Sequence, residues 1–361
     1  MRLLLSLVLA GGPLMASSIG FAVHNLVSNQ PGAVVTDSKL VNAWGLAASG
    51  GSPFWINANG SGLSLVYNAN TLASLIPNGV GIPGEGSVTG VSFNPAAGAG
   101  NFNGDAFLFD SEDGTVSGWR GSLGGTAETL ALANSSNVYK GLTIASTGGF
   151  TYAYLANFRA GTIDVMKGLP AAPDLAGHFT DPALPAGYAP FNVQVIGSSI
   201  YVAYALQDAS KKDEQAGAGL GFLSQFDLNG NFVRRVTGGG PLNAPWGLAL
   251  APASFGDLGG LLLVGNFGDG RINAYDPLSG NFVQTMQGPG GNPISIDGLW
   301  ALRFGNGGAA GPTGKLFFTA GPDDESNGLF GSIESAPEPA TWTLAAAGLL
   351  LTLGRLRRRK A

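Results

Sequence analysis

The chain has 361 residues and a formal charge of −5; 45% of its residues are hydrophobic and 11% charged, with 59 Gly and 21 Pro, a balance too apolar for a disordered chain. With no Cys and only two His, His24 and His178, a disulfide framework and a thiolate metal centre are excluded, and little remains for a histidine-based relay or metal site. Six of the 18 bases (Arg2, Arg355, Arg357, Arg358, Arg359 and Lys360) lie at the extreme ends, so the body carries 12 bases against about 22 acids, a poor charge for binding nucleic acid.

Residues 1–22 read as a signal peptide. Arg2 supplies a positive start, residues 3–10 an apolar stretch, and small residues follow. Gly20-Phe21-Ala22 fits a small-x-small cleavage site, and Ala16 is a second candidate. The structural alternative is a buried N-terminal helix.

A repeating unit then fills residues 23–334. It begins at Asn42-Ala43-Trp44-Gly45-Leu46 and returns at Gly90-Val91-Ser92-Phe93, Lys140-Gly141-Leu142-Thr143 and Phe191-Asn192-Val193-Gln194. It appears again at Ala244-Pro245-Trp246-Gly247-Leu248 and Asp297-Gly298-Leu299-Trp300. Anchored on positions 45, 90, 141, 192, 247 and 298, the spacings are 45, 51, 51, 55 and 51, close to the roughly 40–50 residues of a four-stranded propeller blade. Within each unit, apolar runs alternate with polar turns such as Asp276-Pro277-Leu278-Ser279-Gly280 and Leu228-Asn229-Gly230, the chemistry of hairpins. No helical periodicity separates the strands. These features predict an all-β fold, a six-bladed β-propeller of four-stranded blades. The sixth unit has three strands, 299–304, 315–320 and 329–333, and lacks a fourth. The segment 22–28 is therefore expected to pair with 329–333 and close the last blade, protecting an open edge.

In a propeller the inner strands begin at one mouth of the central channel. That register gathers Asn42, Trp44, Lys140, Asn192, Trp246, Asp297 and Trp300 there as candidate binding residues. Partly exposed indoles beside amides and carboxylates would suit sugar rings; the structural alternative makes the tryptophans blade core. Glu112, Asp113, Asp269, Asp323 and Asp324 are oxygen-ligand candidates for Ca²⁺, although they lack the spacing of an EF-hand. Solvated turns are the plainer reading of these acids, as a solvated excursion is of the charged loop 207–219. No G-x-S-x-G nucleophile, P-loop or dinucleotide fingerprint occurs.

The chain closes with Ala336-Pro337-Glu338-Pro339, an apolar stretch over 343–353 that predicts a short helix, and the basic run. Pro337, Glu338 and Pro339 followed by that stretch and the Arg-rich tail resemble the PEP-CTERM sorting signal, here over 335–361. A plain tail anchor is the alternative. The resemblance implies an exosortase-type transpeptidase as partner and transient anchoring in the inner membrane of a Gram-negative bacterium. It further implies a final place at the cell surface or outside it, beside exopolysaccharide. The units Tyr139-Lys140-Gly141-Leu142, Leu242-Asn243-Ala244-Pro245-Trp246-Gly247-Leu248 and Asp297-Gly298-Leu299-Trp300, among others along the body, resemble an uncharacterised family of exported PEP-CTERM-associated propellers. More loosely, the blades resemble NHL-type repeats. Two functional readings follow. One is a non-catalytic binding or matrix protein that meets exopolysaccharide or other exported proteins. The other is a metal-assisted lyase or hydrolase at the channel mouth, of the kind NHL-like propellers include.

Overall fold

The computed structural model describes residues 20–336. Residues 1–19 and 337–361 lie outside it, and with them most of the leader, Pro337, Glu338, Pro339 and the apolar stretch 343–353. Each repeat forms one antiparallel sheet, and the six inner strands are Ala43–Ala47, Val88–Phe93, Tyr139–Thr147, Tyr188–Ile196, Pro245–Leu250 and Leu299–Phe304. Each inner strand touches the inner strand of the next blade, and the sixth returns to the first, so the sheets close into a six-bladed β-propeller. Helix among the described residues is confined to short 3-10 turns, none of them able to cross a membrane.

One irregularity recurs in every blade. The pairing of the inner strand with its neighbour slips between Ala43 and Leu46, Val88 and Val91, Tyr139 and Leu142, Pro190 and Asn192, Pro245 and Gly247, and Leu299 and Leu302. A bulge of this kind bends the strand and re-aims a side chain. The residues at the slip are Trp44, Thr89, Lys140, Phe191, Trp246 and Trp300, each followed by Gly, Ala or, in one blade, Asn. The small residue has a steric cause, because the next inner strand lies directly against it. A Cβ on Gly45 would stand 2.5 Å from the Thr89 carbonyl oxygen, and one on Gly247 would stand 2.6 Å from that of Trp300.

The bulges leave carbonyls that the ladder does not use, and neighbouring blades satisfy them. Asn57 Nδ2 donates to Thr89 O and Gly90 O at 3.1 and 2.8 Å. Thr89 Oγ1 donates to Tyr139 O at 2.9 Å, Asn192 Nδ2 to Trp246 O at 2.8 Å, and Thr319 Oγ1 to Trp44 O. These bonds join blades 1 to 2, 2 to 3, 4 to 5 and 6 to 1.

Gly20–Ser28 runs antiparallel to Leu329–Ala336, from Gly20 opposite Ala336 to Ser28 opposite Leu329, with one register shift between Asn25 and Val27. Val35–Thr36 pairs with its outer edge in parallel. Phe21 is buried and packs on Phe255 with ring centroids 4.9 Å apart. A leader boundary after Ala22 would therefore cut inside a paired strand.

Blade 3 departs from the expected four strands and has three, ending at Thr162–Lys167. The following segment carries Pro170, Pro173, Pro182 and Pro185, which cannot donate to a ladder. Phe179 of that segment instead plugs into the gap between blades 3 and 4, 5.5 Å from both Tyr154 and Phe226.

Candidate functional site

Trp44, Trp246 and Trp300 do meet at the axis, but not as partly exposed indoles. Their exposures are 1%, 5% and 0%. Trp300 lies flat on Trp44, with centroids 3.6 Å apart and planes 13° apart, and Phe267 covers its other face at 4.1 Å. Trp246 meets Trp300 edge-on at 5.9 Å, and Phe191 approaches it at 5.7 Å. The physical reason is the shared register: equivalent positions reach equal heights around a narrow axis, and three indoles there bury one another. Asn42 Oδ1 accepts from Trp300 Nε1 at 3.0 Å, and the Lys140 carbonyl accepts from Trp246 Nε1 at 2.9 Å. The channel is thus stoppered by aromatic rings.

Above the stopper, on the face where the inner strands begin, sits Lys140. It is buried, and its Nζ lies 5.2 Å from the centre of the Trp44 ring, within cation–π range. Nζ donates to Glu112 Oε1 at 2.6 Å and to Asp213 Oδ1 at 3.1 Å. Burial alone pushes the Lys140 pKa down, but Glu112, Glu214 and Asp213 together outweigh it and raise it. Lys140 is a fixed cation.

Most of the loop 207–219 is exposed, as its charge predicts, but it is also a cover for the mouth. Glu214–Gln215 pairs with Leu206 and Gln207 of blade 4, folding the loop back over the mouth. That fold delivers Asp213 and Glu214 to Lys140. From blade 6, Asp323, Asp324 and Glu325 form a left-handed turn with φ of 56°, 53° and 63°. Such a run of non-glycine residues costs about 1–2 kcal/mol per residue. It brings Glu325 inward, where Oε2 accepts from Asn42 Nδ2 at 2.6 Å. Burial raises the Glu214 pKa to about 7 against the pull of Lys140, with Glu325 and Asp213 adding to the rise. Burial also raises Glu325, again against Lys140, with Glu112 adding to it. Four carboxylates therefore surround one ammonium, and burial holds two of them, Glu214 and Glu325, above the ordinary carboxylate range.

The other sequence candidates are more scattered. Asn192 is buried beside the stopper, tied to the Trp246 carbonyl. Asp297 is exposed and accepts from the Asp323 backbone N–H at 2.9 Å. Of the five calcium candidates only Glu112 reaches the Lys140 cluster. Asp113 accepts from the N–H groups of Thr115 and Glu85, and Asp269 from that of Arg271, each shaping a turn. Asp323 accepts from Asn327 Nδ2 and Asp324 is exposed. Among the described residues no three carboxylate or imidazole groups are placed to hold a metal ion together. A groove of about 560 Å³ runs outward from Glu112, with Asn134, Asn137, Arg159 and Lys212 along it.

These features define the protein's class as a six-bladed β-propeller with a stoppered channel and a charged mouth. The chain belongs to the family of two Acanthamoeba polyphaga mimivirus proteins, uncharacterized proteins R648 and L690. It is 35% identical to R648 over 332 residues, 86% of this chain and 79% of R648. It is 32% identical to L690 over 333 residues, 86% of this chain and 85% of L690. No family model matches the chain. Among solved structures, the PQQ-bound aldose sugar dehydrogenase of Streptomyces coelicolor is similar at TM-score 0.47 and 15% identity, over 88% of this chain and 100% of that one. A chain of a nidogen/laminin complex is similar at TM-score 0.46 and 11% identity, over 72% and 82%. At these scores neither likeness carries a functional argument.

Proposed function

We propose that the protein is an exported, non-catalytic binding propeller that meets exopolysaccharide or another exported protein through the charged face around Lys140. The observation that carries this reading is the stopper. With the axis filled by buried rings, the mouth is a shallow polar surface continuing into the groove past Arg159 and Lys212. Recognition there would use hydrogen bonds and charge, since the indoles are out of reach. In this reading Gly20–Ser28 is the lock of the ring. Leader cleavage after Ala16 retains it, whereas cleavage after Ala22 removes Phe21. Pro337, Glu338 and Pro339 mark the segment that an exosortase-type transpeptidase exchanges, after transient anchoring in the inner membrane.

A glycan array probed with the full chain tests the binding reading. Retention on acidic or neutral polysaccharide that falls with Arg159→Ala and Lys212→Ala supports it; retention unaffected by both moves the surface elsewhere. Mass spectrometry of the protein exported by an exosortase-bearing host tests the sorting reading, which an intact basic tail on the extracellular form overturns.

Glu214 favours a second reading, a lyase or hydrolase at the mouth. A buried carboxyl that titrates near pH 7 is placed for proton transfer. A Ca²⁺-assisted form would need the cation to displace the Lys140 ammonium from its carboxylates. Turnover of a polysaccharide or small sugar that Glu214→Gln abolishes, with folding retained, would favour this reading over the first.

A further inference from the structure

Below the stopper the channel reopens. A cavity of about 270 Å³ runs from Trp246 and Asn192 to Ile196, Leu250 and Phe304, the last residues of three inner strands. It therefore opens on the face opposite Lys140. Five of the six bulges are followed by a residue of its wall, Leu46, Val91, Leu142, Leu248 and Leu302, each 4–7% exposed, and blade 4 contributes Asn192 and Gln194 instead. A dry aliphatic cavity of about 150 Å³ suffices to hold benzene, so this one has room for a compact organic body.

The wall carries one charged side chain, Arg303, and no carboxylate. One guanidinium nitrogen donates to the Ala48 carbonyl at 3.1 Å, across the seam between blades 6 and 1. Among the described residues Arg303 has no ion-pair partner and no other hydrogen bond, although a guanidinium offers five N–H donors. The contrast with Lys140 is informative: that cation is ringed by carboxylates, while Arg303 has none. A cation in apolar surroundings is costly unless paired and hydrogen-bonded. A planar guanidinium matches the two oxygens of a carboxylate.

We propose that the lower half of the channel is a binding site for a compact organic monocarboxylate, its carboxylate on Arg303 and its apolar body against the aliphatic wall. This site is independent of the charged face on the other side of the stopper.

Cyclohexanecarboxylate is the probe, with cyclohexanecarboxamide as its neutral counterpart, titrated into the full chain by calorimetry and by tryptophan fluorescence, since Trp246 lines the cavity. The acid should bind saturably and about tenfold or more tighter than the amide, the size of a charged hydrogen-bonded contact. Arg303→Met should erase that preference. Should Arg303→Met fail to fold, Leu250→Trp decides: Leu250 is 46% exposed at the rim, so the larger side chain narrows the entrance without entering the core and should weaken both probes. Equal binding of acid and amide, no saturable binding of the acid, tighter binding of inorganic sulfate than of the acid, or unchanged binding in Leu250→Trp would each overturn the assignment.

Discussion

The indole of Trp300 lies on that of Trp44 at 3.6 Å, although 256 residues separate them, and this contact is the seam where the last blade meets the first. Ring closure and channel closure are thus one event, because the residues that stopper the axis also hold the first and last blades together.

Trp300→Ala should therefore act as a core truncation. A loss of about 3–5 kcal/mol is expected, read as a shift of the denaturant midpoint. Trp246→Ala should also cost stability, since Trp246 ties blade 5 to the Lys140 carbonyl. A Trp246→Ala protein that melts like the parent would show that the stopper contributes nothing.

Lys140→Met should destabilise the mouth at pH 7 by about 3–5 kcal/mol, because removing one partner strands buried charges of the other sign. Part of the loss should return at pH 5, below the value of about 7 to which Glu214 is raised, because Glu214 then takes up a proton. Thermal melts of parent and variant at the two pH values check this. A pH-independent loss would mean that Lys140 matters only as packing.

Stability itself should depend on pH through two raised carboxyls. Burial lifts Glu214 from 4.5 to about 7, and lifts Asp110 from 3.8 to about 7 against the bonds from Thr89 and Gly90. Each binds its proton more tightly in the folded state. Their contribution is fully present below the unfolded values and is lost as the pH rises through about 7. The fall is at most on the order of 3 kcal/mol for Glu214 and 4 kcal/mol for Asp110. Asp181 works the other way, since bonds from Ser224, Ala183 and Arg235 outweigh its burial and lower its pKa; its share is lost only as pH falls below its unfolded value. Chemical denaturation from pH 5 to pH 8 should show the decline, and Glu214→Gln with Asp110→Asn should flatten it.

Gly247→Ala should cost about 1–3 kcal/mol by overpacking, because the new methyl meets the Trp300 carbonyl. Gly50→Ala, with nothing within 4 Å of the added carbon, is the control and should melt unchanged.

A chain beginning at Val23 should melt lower than one beginning at Ser17. The shorter form loses Phe21 from its contact with Phe255 and shortens the strand beside Leu329–Ala336. Equal melting would argue that the outer strand of blade 6 adds little to the ring.

Much of the architecture is written locally. The aromatic-Gly-Leu units at Trp44 and Trp246, and Lys140-Gly141-Leu142 between them, mark the bulges because a bulge needs a small residue wherever the next blade presses close. The hairpin turns are legible for the same short-range reason. The missing fourth strand of blade 3 was signalled by Pro170, Pro173, Pro182 and Pro185, whose lack of donors outweighs the repeat period. Whether an indole at the axis is exposed is not a local property. It depends on how many large side chains reach the same height, and here Trp44, Trp246, Trp300, Phe191 and Phe267 together exclude water. The charge of loop 207–219 equally describes a solvated excursion or a cover. Only the pairing of Glu214–Gln215 with Leu206 and Gln207 carries it to Lys140, 73 residues from Asp213. The local pattern of small residues and turns determined a ring of six blades, since backbone sterics and hairpin geometry act over a few residues. The closed ring alone decided that one cation is surrounded by carboxylates while Arg303 faces a cavity without any, because side chains from separate blades meet only when the ring is complete.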